Sequence, residues 1–210
     1  MAFFSSIITF FQHGGAFMYP IAAVLVAGAA IAIERFIFLS RIERENGQLW
    51  SQVGPLLAKG DLEGAARLTQ DSDTAIAVIL GNGLAQARVD KRRAEVENAT
   101  EEALMEVLPS IEKRTHYLGM FSNVAVLFGL LGTVMGLIAA FAALGNVDAA
   151  EKADLLSAGI SEAMNCTAFG LMVAIPAMLL HSFLHAKSTT LIDSLEAVSA
   201  KLVTAISGRG

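Results

Sequence analysis

One carboxylate falls where a membrane-spanning helix would be expected to carry none. Glu162 is followed by the uncharged stretch Ala163 to Ala186, and it is the only charged residue of the apolar segment 155–186. Because an ionised carboxylate is costly in hydrocarbon, such a residue usually faces a polar interior and marks an ion pathway. The alternative is that Glu162 lies in the headgroup layer, where it would only mark the boundary of the membrane.

Other polar side chains accompany Glu162 on the same predicted helix. Asn165 lies three residues after Glu162 and shares its helical face. Thr167 lies about 140° round the helix from Glu162 and shares a stripe of small residues with Gly170. The segment thus offers a carboxylate face and a hydroxyl face, and we assign Glu162, Asn165 and Thr167 to a candidate ion pathway.

The preceding uncharged segment carries matching groups. Gly129, Gly132 and Gly136 fall on one helical face, and small residues let helix backbones approach closely in a membrane. A tightly packed helix pair would account for the glycines, and Gly170 suits the same packing. It would not account for Thr133 and Asn123, which bring polar groups into the apolar stretch, so we include both in the candidate ion pathway.

The sequence gives little support to enzymatic, metal-binding or nucleic-acid-binding alternatives. The lone cysteine, Cys166, lies fifteen residues before His181, or about 22 Å along a helix, too far for a nucleophile and its base. His181 and His185 have the spacing of a metal-binding pair, but no third ligand lies nearby. The basic run 91–93 is followed by acidic residues in a chain of net charge −5, which is typical of a solvated helix face. We therefore predict no catalytic residue, metal, cofactor or bound nucleic acid.

The elements that must position these groups are membrane-spanning helices. The chain has 210 residues, of which 54% are hydrophobic and 17% charged, and its mean hydropathy is +0.57, a membrane composition. Three stretches carry no charge: Met1 to Ile33, Thr115 to Val147 and Ala163 to Ala186. Each exceeds the roughly 20 apolar residues that cross the hydrocarbon core as a helix. We predict an all-α integral membrane protein with three transmembrane helices, long cytoplasmic helical extensions and a short N-terminal interfacial helix.

Basic residues near the ends of the spans predict the orientation. Arg35, Arg41 and Arg44 flank the end of the first span and Lys187 follows the third, whereas the loop between the second and third carries only Lys152. Positive-inside counting therefore places the N-terminus outside and the C-terminus in the cytoplasm. The predicted segments are an interfacial amphipathic segment (1–15), a first transmembrane helix (16–39), a cytoplasmic helical region (40–114), a second transmembrane helix (115–145), a periplasmic loop (146–154), a third transmembrane helix (155–186) and a cytoplasmic tail (187–210).

Two details of the predicted segments depend on local signals. Segment 1–15 suits a helix lying in the membrane interface, but it could equally extend the first span. In the cytoplasmic region Asp73 is placed to cap a helix over 74–87. A long helical pattern begins near Asp90 and runs toward the second span, and Pro109 should kink that helix rather than end it.

These residues resemble a known family. GLLGTVMGL at 129–137 and GISEAMNCTAFGLMVAIPA at 159–177 resemble the signature segments of the MotA/TolQ/ExbB proton-channel family. MotA-type subunits have four spans, with the main cytoplasmic section between the second and third. Here there are three, with the main section between the first and second, as in ExbB and TolQ. GGAFMYPI at 14–21 and the pair Glu34-Arg35 also look like that branch, so the resemblance covers most of the chain.

The resemblance assigns roles to individual positions. Glu162, Thr133 and Thr167 fall on the polar channel positions of the family. Asn165 and Cys166 depart from the small apolar residues more usual there, which leaves the choice between proton and sodium open.

The resemblance also implies an assembly and a task. Family members of the ExbB type form homopentamers in the bacterial inner membrane around an ExbD- or TolR-like single-span partner, whose transmembrane aspartate carries the proton. A TonB- or TolA-like protein receives the mechanical work that the proton flow drives. The expected function is that of an ExbB-like subunit of a proton-motive-force-driven motor that energises TonB-dependent outer-membrane transport. A TolQ-like role in the Tol-Pal envelope-maintenance system and a non-conducting membrane scaffold remain alternatives.

Overall fold

The computed structural model of the protein describes Phe11 and residues 14–146, 148 and 151–208. Helices account for the regular structure of these residues, and no strand occurs among them. The elements in chain order are α1 (Met18–Lys59), α2 (Leu62–Gln70), α3 (Ala75–Val89), α4 (Arg93–Glu112), α5 (Thr115–Ala143), a 3-10 turn (Leu144–Asn146) and α6 (Lys152–Ser207). The predicted all-α class is confirmed, whereas the predicted interfacial helix within 1–15 lies almost entirely outside the described residues.

Three helical stretches of the described chain are long and apolar enough to cross a membrane. They lie within Met18–Lys59, Arg93–Ala143 and Lys152–Ser207. The prediction of three membrane-spanning helices is therefore confirmed. Each stretch is much longer than the roughly 20 residues that a bilayer requires, so each helical stretch continues beyond its apolar part.

The chain forms two compact units. The first comprises the residues up to Ile33 together with Arg114–Ser182, and the second comprises Glu34–Lys113 together with Phe183–Gly210. Helices α1 and α6 contribute to both units because each is long enough to continue from one into the other.

The first unit packs the apolar parts of α1, α5 and α6 around a narrow core. Its buried centre consists of Ile21, Ala125, Cys166, Val173 and Ala174. Large apolar side chains remain exposed outside this core, among them Val26, Leu127, Ile138, Phe141, Met164, Met172 and Leu179. Apolar exposure on this scale is typical of a surface that meets lipid or other membrane helices.

The second unit holds the short helices α2 and α3 and the helix α4. Asp61 caps α2 by accepting a hydrogen bond from the backbone N–H of Gly64 at 2.8 Å. Thr74 caps α3 by accepting one from the backbone N–H of Ala77 at 3.4 Å. The predicted cap at Asp73 is wrong, because Thr74 has the extended backbone of a capping residue and directly precedes the first helical residue.

The chain breaks its helix between α4 and α5. Pro109 lies inside α4, as predicted, but the helix ends at Glu112 and does not continue into α5. Arg114 takes the left-handed conformation with φ +66°, which L-residues adopt at a cost. The prediction of one continuous helix is therefore wrong, because Arg114 interrupts it a few residues after the proline.

The carbonyl groups at the end of α4 accept hydrogen bonds from side chains instead of from the backbone N–H groups of a further helical turn. Arg35, which is 3% exposed, donates from Nη1 to the carbonyl oxygens of Ser110 at 3.2 Å and Ile111 at 3.4 Å. Ser188 Oγ donates to the same Ile111 oxygen at 3.1 Å. These bonds satisfy carbonyls that every helix end leaves without an intrahelical partner.

Candidate ion pathway

Two threonine hydroxyls meet between α5 and α6 in the first unit. Thr133 Oγ1 and Thr167 Oγ1 form a hydrogen bond in which either oxygen could be the donor. Both side chains are partly buried. The structure thus brings together two predicted pathway residues that are far apart in the sequence.

The same hydroxyls also approach backbone oxygens. Thr167 Oγ1 lies 2.9 Å from the carbonyl oxygen of Gly129. Thr133 Oγ1 lies 3.1 Å from that oxygen and 3.4 Å from the carbonyl oxygen of Ala163. Each hydroxyl has one hydrogen to donate and two lone pairs with which to accept. The two hydrogens cannot bond at the same time to the other hydroxyl and to the carbonyl oxygens of Gly129 and Ala163. The pair can therefore exchange donor and acceptor roles without moving its oxygens.

Glycines make this close approach possible. A Cβ on Gly129 would lie 3.2 Å from the Cα of Thr167, and a Cβ on Gly170 would lie only 2.7 Å from the carbonyl oxygen of Ala125. A Cβ on Gly132 would overlap the sulfur of Cys166, and one on Gly136 would lie 3.2 Å from the Cβ of Ala163. The structure places all four glycines against the facing helix, where a side chain has little or no room, and at Gly129 and Gly170 backbone meets backbone.

Glu162 lies near the start of α6 but outside the threonine pair. It is ten residues into the helix that begins at Lys152, which is about 15 Å along the axis. Its side chain is exposed on the single chain, and its carboxylate lies against Gly15, where a Cβ would overlap Oε1. No hydrogen bond within the described part of the chain joins Glu162 to either threonine.

The two asparagines do not join the threonine pair. Asn123 is exposed on α5, ten residues before Thr133, or about 15 Å along the helix axis. Asn165 is partly buried on α6, close in sequence to Glu162. The predicted pathway residues therefore form a central hydroxyl pair, with Glu162 and Asn165 toward the start of α6 and Asn123 toward the start of α5.

Two residues at close contacts, Gly15 and Gly159, were not among the predicted site residues. Gly15 contacts the carboxylate of Glu162, and a Cβ on Gly159 would overlap the Cβ of Ala140 on α5. Gly159 continues the small stripe of α6 backward at helical spacing, so the stripe could have revealed it. Gly15 left a weaker signal, since the pair Gly14-Gly15 indicates a bend but not which side chain the bend will meet.

Within the described residues, no group of three His, Cys, Asp or Glu side chains is arranged to hold a metal ion. His181 lies instead close to Gly119, on which a Cβ would be 3.3 Å from Nε2.

Comparison with known sequences identifies the family. The sequence profile described as the MotA/TolQ/ExbB proton channel family matches residues 71–197. A "Putative biopolymer transport protein ExbB homolog" from Methanothermobacter thermautotrophicus is 31% identical over 198 residues, which cover 93% of this chain and 69% of the relative. A "Putative biopolymer transport protein ExbB-like 3" from Synechocystis sp. is 32% identical over 168 residues, which cover 79% of each chain.

A relative of the TolQ type also matches part of the chain. The "Tol-Pal system protein TolQ" of Haemophilus influenzae is 37% identical over 80 residues, which cover 38% of this chain and 35% of the relative. The family profile spans more than half of the sequence, and the longer matches are to ExbB-type proteins. The chain, a multi-pass membrane protein, therefore belongs to the MotA/TolQ/ExbB proton channel family and is of the ExbB/TolQ type.

Proposed function

We propose that this chain is an ExbB-like subunit of a proton-motive-force-driven motor, which with an ExbD-like partner energises TonB-dependent outer-membrane transport. The observation that carries the proposal is the hydroxyl pair of Thr133 and Thr167, held between two apolar helices by backbone-to-backbone contact. Hydroxyls between membrane helices stabilise the helix contact, and a pair that shares its hydrogens among several acceptors can also pass a hydrogen bond along the contact.

In the proposed mechanism the threonines and Glu162 have different tasks. The hydroxyl pair accepts a hydrogen bond from a protonated group or a water molecule and passes a hydrogen bond on, because each oxygen can do both. Glu162 supplies a negative charge at one end of the pathway, and Asn165 and Asn123 extend the polar lining toward its two ends. A transmembrane aspartate of the ExbD- or TolR-like partner carries the proton past these groups.

The exposure of Glu162 fits an assembly of several copies. A single chain leaves this carboxylate and many apolar side chains of the first unit exposed. A closed homopentamer would remove these faces from lipid and enclose the carboxylates around the partner helix. One charge moving through 100 mV is worth about 2.3 kcal/mol, so the passage of several protons supplies enough free energy for a mechanical step.

We place the protein in the bacterial inner membrane. In this proposal the N-terminus and the loop 146–154 are periplasmic, whereas the region 40–114 and the tail 187–210 are cytoplasmic. The first, second and third spans are 16–39, 115–145 and 155–186. The distribution of basic residues supports this orientation.

The second candidate function is a TolQ-like role in the Tol-Pal system. The partial match to the TolQ protein of H. influenzae favours it, whereas the matches that cover most of this chain are to ExbB-type proteins. Identification of the single-span protein that co-purifies with this chain separates the two roles. Proton flux measured with and without sodium separates the two candidate ions.

The test of the proposed function replaces Glu162 by Ala in the complex with its partner. We expect energised transport to be lost while the assembly still forms, because an exposed side chain is removed and no core contact changes. Full transport in Glu162→Ala would refute the proposal. A non-conducting scaffold would instead tolerate both Thr133→Val and Glu162→Gln with unchanged transport.

A further inference from the structure

The backbone turn that leads into α1 lies directly against the carboxylate of Glu162. A Cβ built on Gly15 would overlap Oε1 of Glu162 and would lie 3.1 Å from its Cδ and 3.3 Å from its Cγ. The position of Gly15 therefore limits where the end of the Glu162 side chain can go.

Gly15 is required at this position for two independent reasons. Its φ of +73° lies in the left-handed region, which achiral glycine adopts freely and L-residues adopt at a cost. Its missing Cβ leaves the space that Oε1 of Glu162 occupies. A side chain at position 15 would therefore strain the backbone and displace the carboxylate.

The turn is anchored to the helices that it contacts. The carbonyl oxygen of Gly15 accepts the first hydrogen bond of α1, from the N–H of Met18 at 3.2 Å. Phe17 packs against the buried cluster that contains Cys166. The ring of Phe11 makes edge contacts with Tyr19 at 5.3 Å and with Phe169 of α6 at 5.8 Å between centroids. The turn and α6 therefore hold one another in place, so that a fixed surface faces Glu162.

We infer that Gly15 is a positioning residue for Glu162: the turn before α1 holds the carboxylate in the orientation that the ion pathway uses. This inference rests on the proposed function for its importance to transport, but not for its geometry. It makes the N-terminal turn part of the pathway, although the turn contributes no ionisable side chain of its own.

Gly60 supplies a matched control. It also has a positive φ, +82°, but it follows the end of α1 in the second unit. Gly60→Ala imposes the same kind of backbone strain as Gly15→Ala without a new atom at Glu162. We expect Gly15→Ala to lower proton flux about tenfold relative to Gly60→Ala, a coupling of the size seen between residues in contact.

A shorter acid tests whether the carboxylate is the target. Glu162→Asp withdraws the carboxylate by one methylene, so Gly15→Ala should cost less than about twofold in flux when added to Glu162→Asp.

Gly15→Asn keeps the added Cβ but tolerates the left-handed backbone better. If Gly15→Ala fails to assemble, Gly15→Asn is expected to show the same loss of flux in an assembled complex.

A chemical readout separates this inference from the proposed function. Dicyclohexylcarbodiimide reacts with protonated carboxyl groups in apolar surroundings, and mass spectrometry reports the extent of its addition to Glu162 at one fixed pH. The extent of addition is expected to change in Gly15→Ala and to match the unaltered protein in Gly60→Ala. Identical flux and identical labelling in the two variants would overturn the inference. Altered labelling of Glu162 in Gly15→Ala together with full flux in Glu162→Ala would overturn the proposed function and leave the positioning role intact.

Discussion

Replacing Gly170 by alanine tests whether the contact between α5 and α6 sustains the threonine pair. The added Cβ would lie 2.7 Å from the carbonyl oxygen of Ala125 and 3.1 Å from the Cα of Gly129. Ordinary van der Waals contacts begin at 3.4 Å, so the two backbones would have to separate by about 0.7 Å. The bond from Thr167 Oγ1 to the Gly129 oxygen, now 2.9 Å, would then lengthen to about 3.6 Å, beyond hydrogen-bonding distance.

The expected cost follows from two opposing effects. Overpacking a well-packed contact costs about 1–3 kcal/mol, whereas alanine improves on glycine in a helix by about 1 kcal/mol. Gly47→Ala gives the matched control, since a Cβ there meets nothing within 4 Å. We expect Gly170→Ala to be less stable than Gly47→Ala by about the overpacking cost, about 1–3 kcal/mol.

The assay combines two measurements on the complex purified with its partner. Thermal unfolding in detergent compares the stability of the two variants, and reconstituted vesicles report proton flux. Gly170→Ala is expected to unfold at a lower temperature than Gly47→Ala and to lose flux. If Gly170→Ala matches Gly47→Ala in both measurements, the close backbone contact does not sustain the hydroxyl pair and the reasoning fails.

Three further predictions address single contacts. Thr167→Val is expected to reduce proton flux while Thr167→Ser retains most of it, because serine keeps the hydroxyl that bonds to Gly129; equal flux in the two variants would contradict the role of the hydroxyl. Ser188→Ala is expected to destabilise the second unit by about 1 kcal/mol in chemical denaturation, because the buried Ile111 carbonyl loses one of its donors. An unchanged denaturation midpoint would show that the hydrogen bond from Arg35 alone satisfies this carbonyl. Hydrogen bonds from the backbone and side chain of Arg92 hold the pKa of Asp90 below its ordinary value of 3.8. The ionised Asp90 therefore stabilises the fold above pH 3.8, and this contribution is lost as the pH falls through the lower pKa of the folded state. Asp90→Asn should therefore flatten the acid side of the stability profile slightly, and an unaltered profile would show that the bonds do not contribute.

The prediction of the helices from the sequence succeeded where the signal was long and failed where it was short. Charge-free stretches identified three apolar helices because a bilayer imposes a length that few other structures need. The cap of α3 was assigned one residue too early, since Asp73 and Thr74 are both acceptable capping residues and only the backbone conformation distinguishes them. The break at Arg114 left no signal in the sequence, because a left-handed arginine is unfavourable by itself.

The candidate pathway shows the same division. The residue types Glu162, Thr133 and Thr167 stood out in the sequence because polar groups in apolar segments are expensive and therefore few. The family resemblance assigned the two threonines to channel positions, but their spacing could not predict that they would meet, since they lie on different helices. The contact itself depends on how α5 and α6 pack.

The amino-acid sequence alone is enough to predict the class of protein, the number of apolar helices and the few polar side chains that lie in the apolar segments. These follow from composition and periodicity, which act locally along the chain. The folded chain is needed to show that Thr133 and Thr167 bond to one another and approach the Gly129 carbonyl oxygen, and that Gly15 lies against the carboxylate of Glu162. The physical reason is that these contacts depend on the distance between backbones of separate segments, which packing sets and which no local pattern encodes.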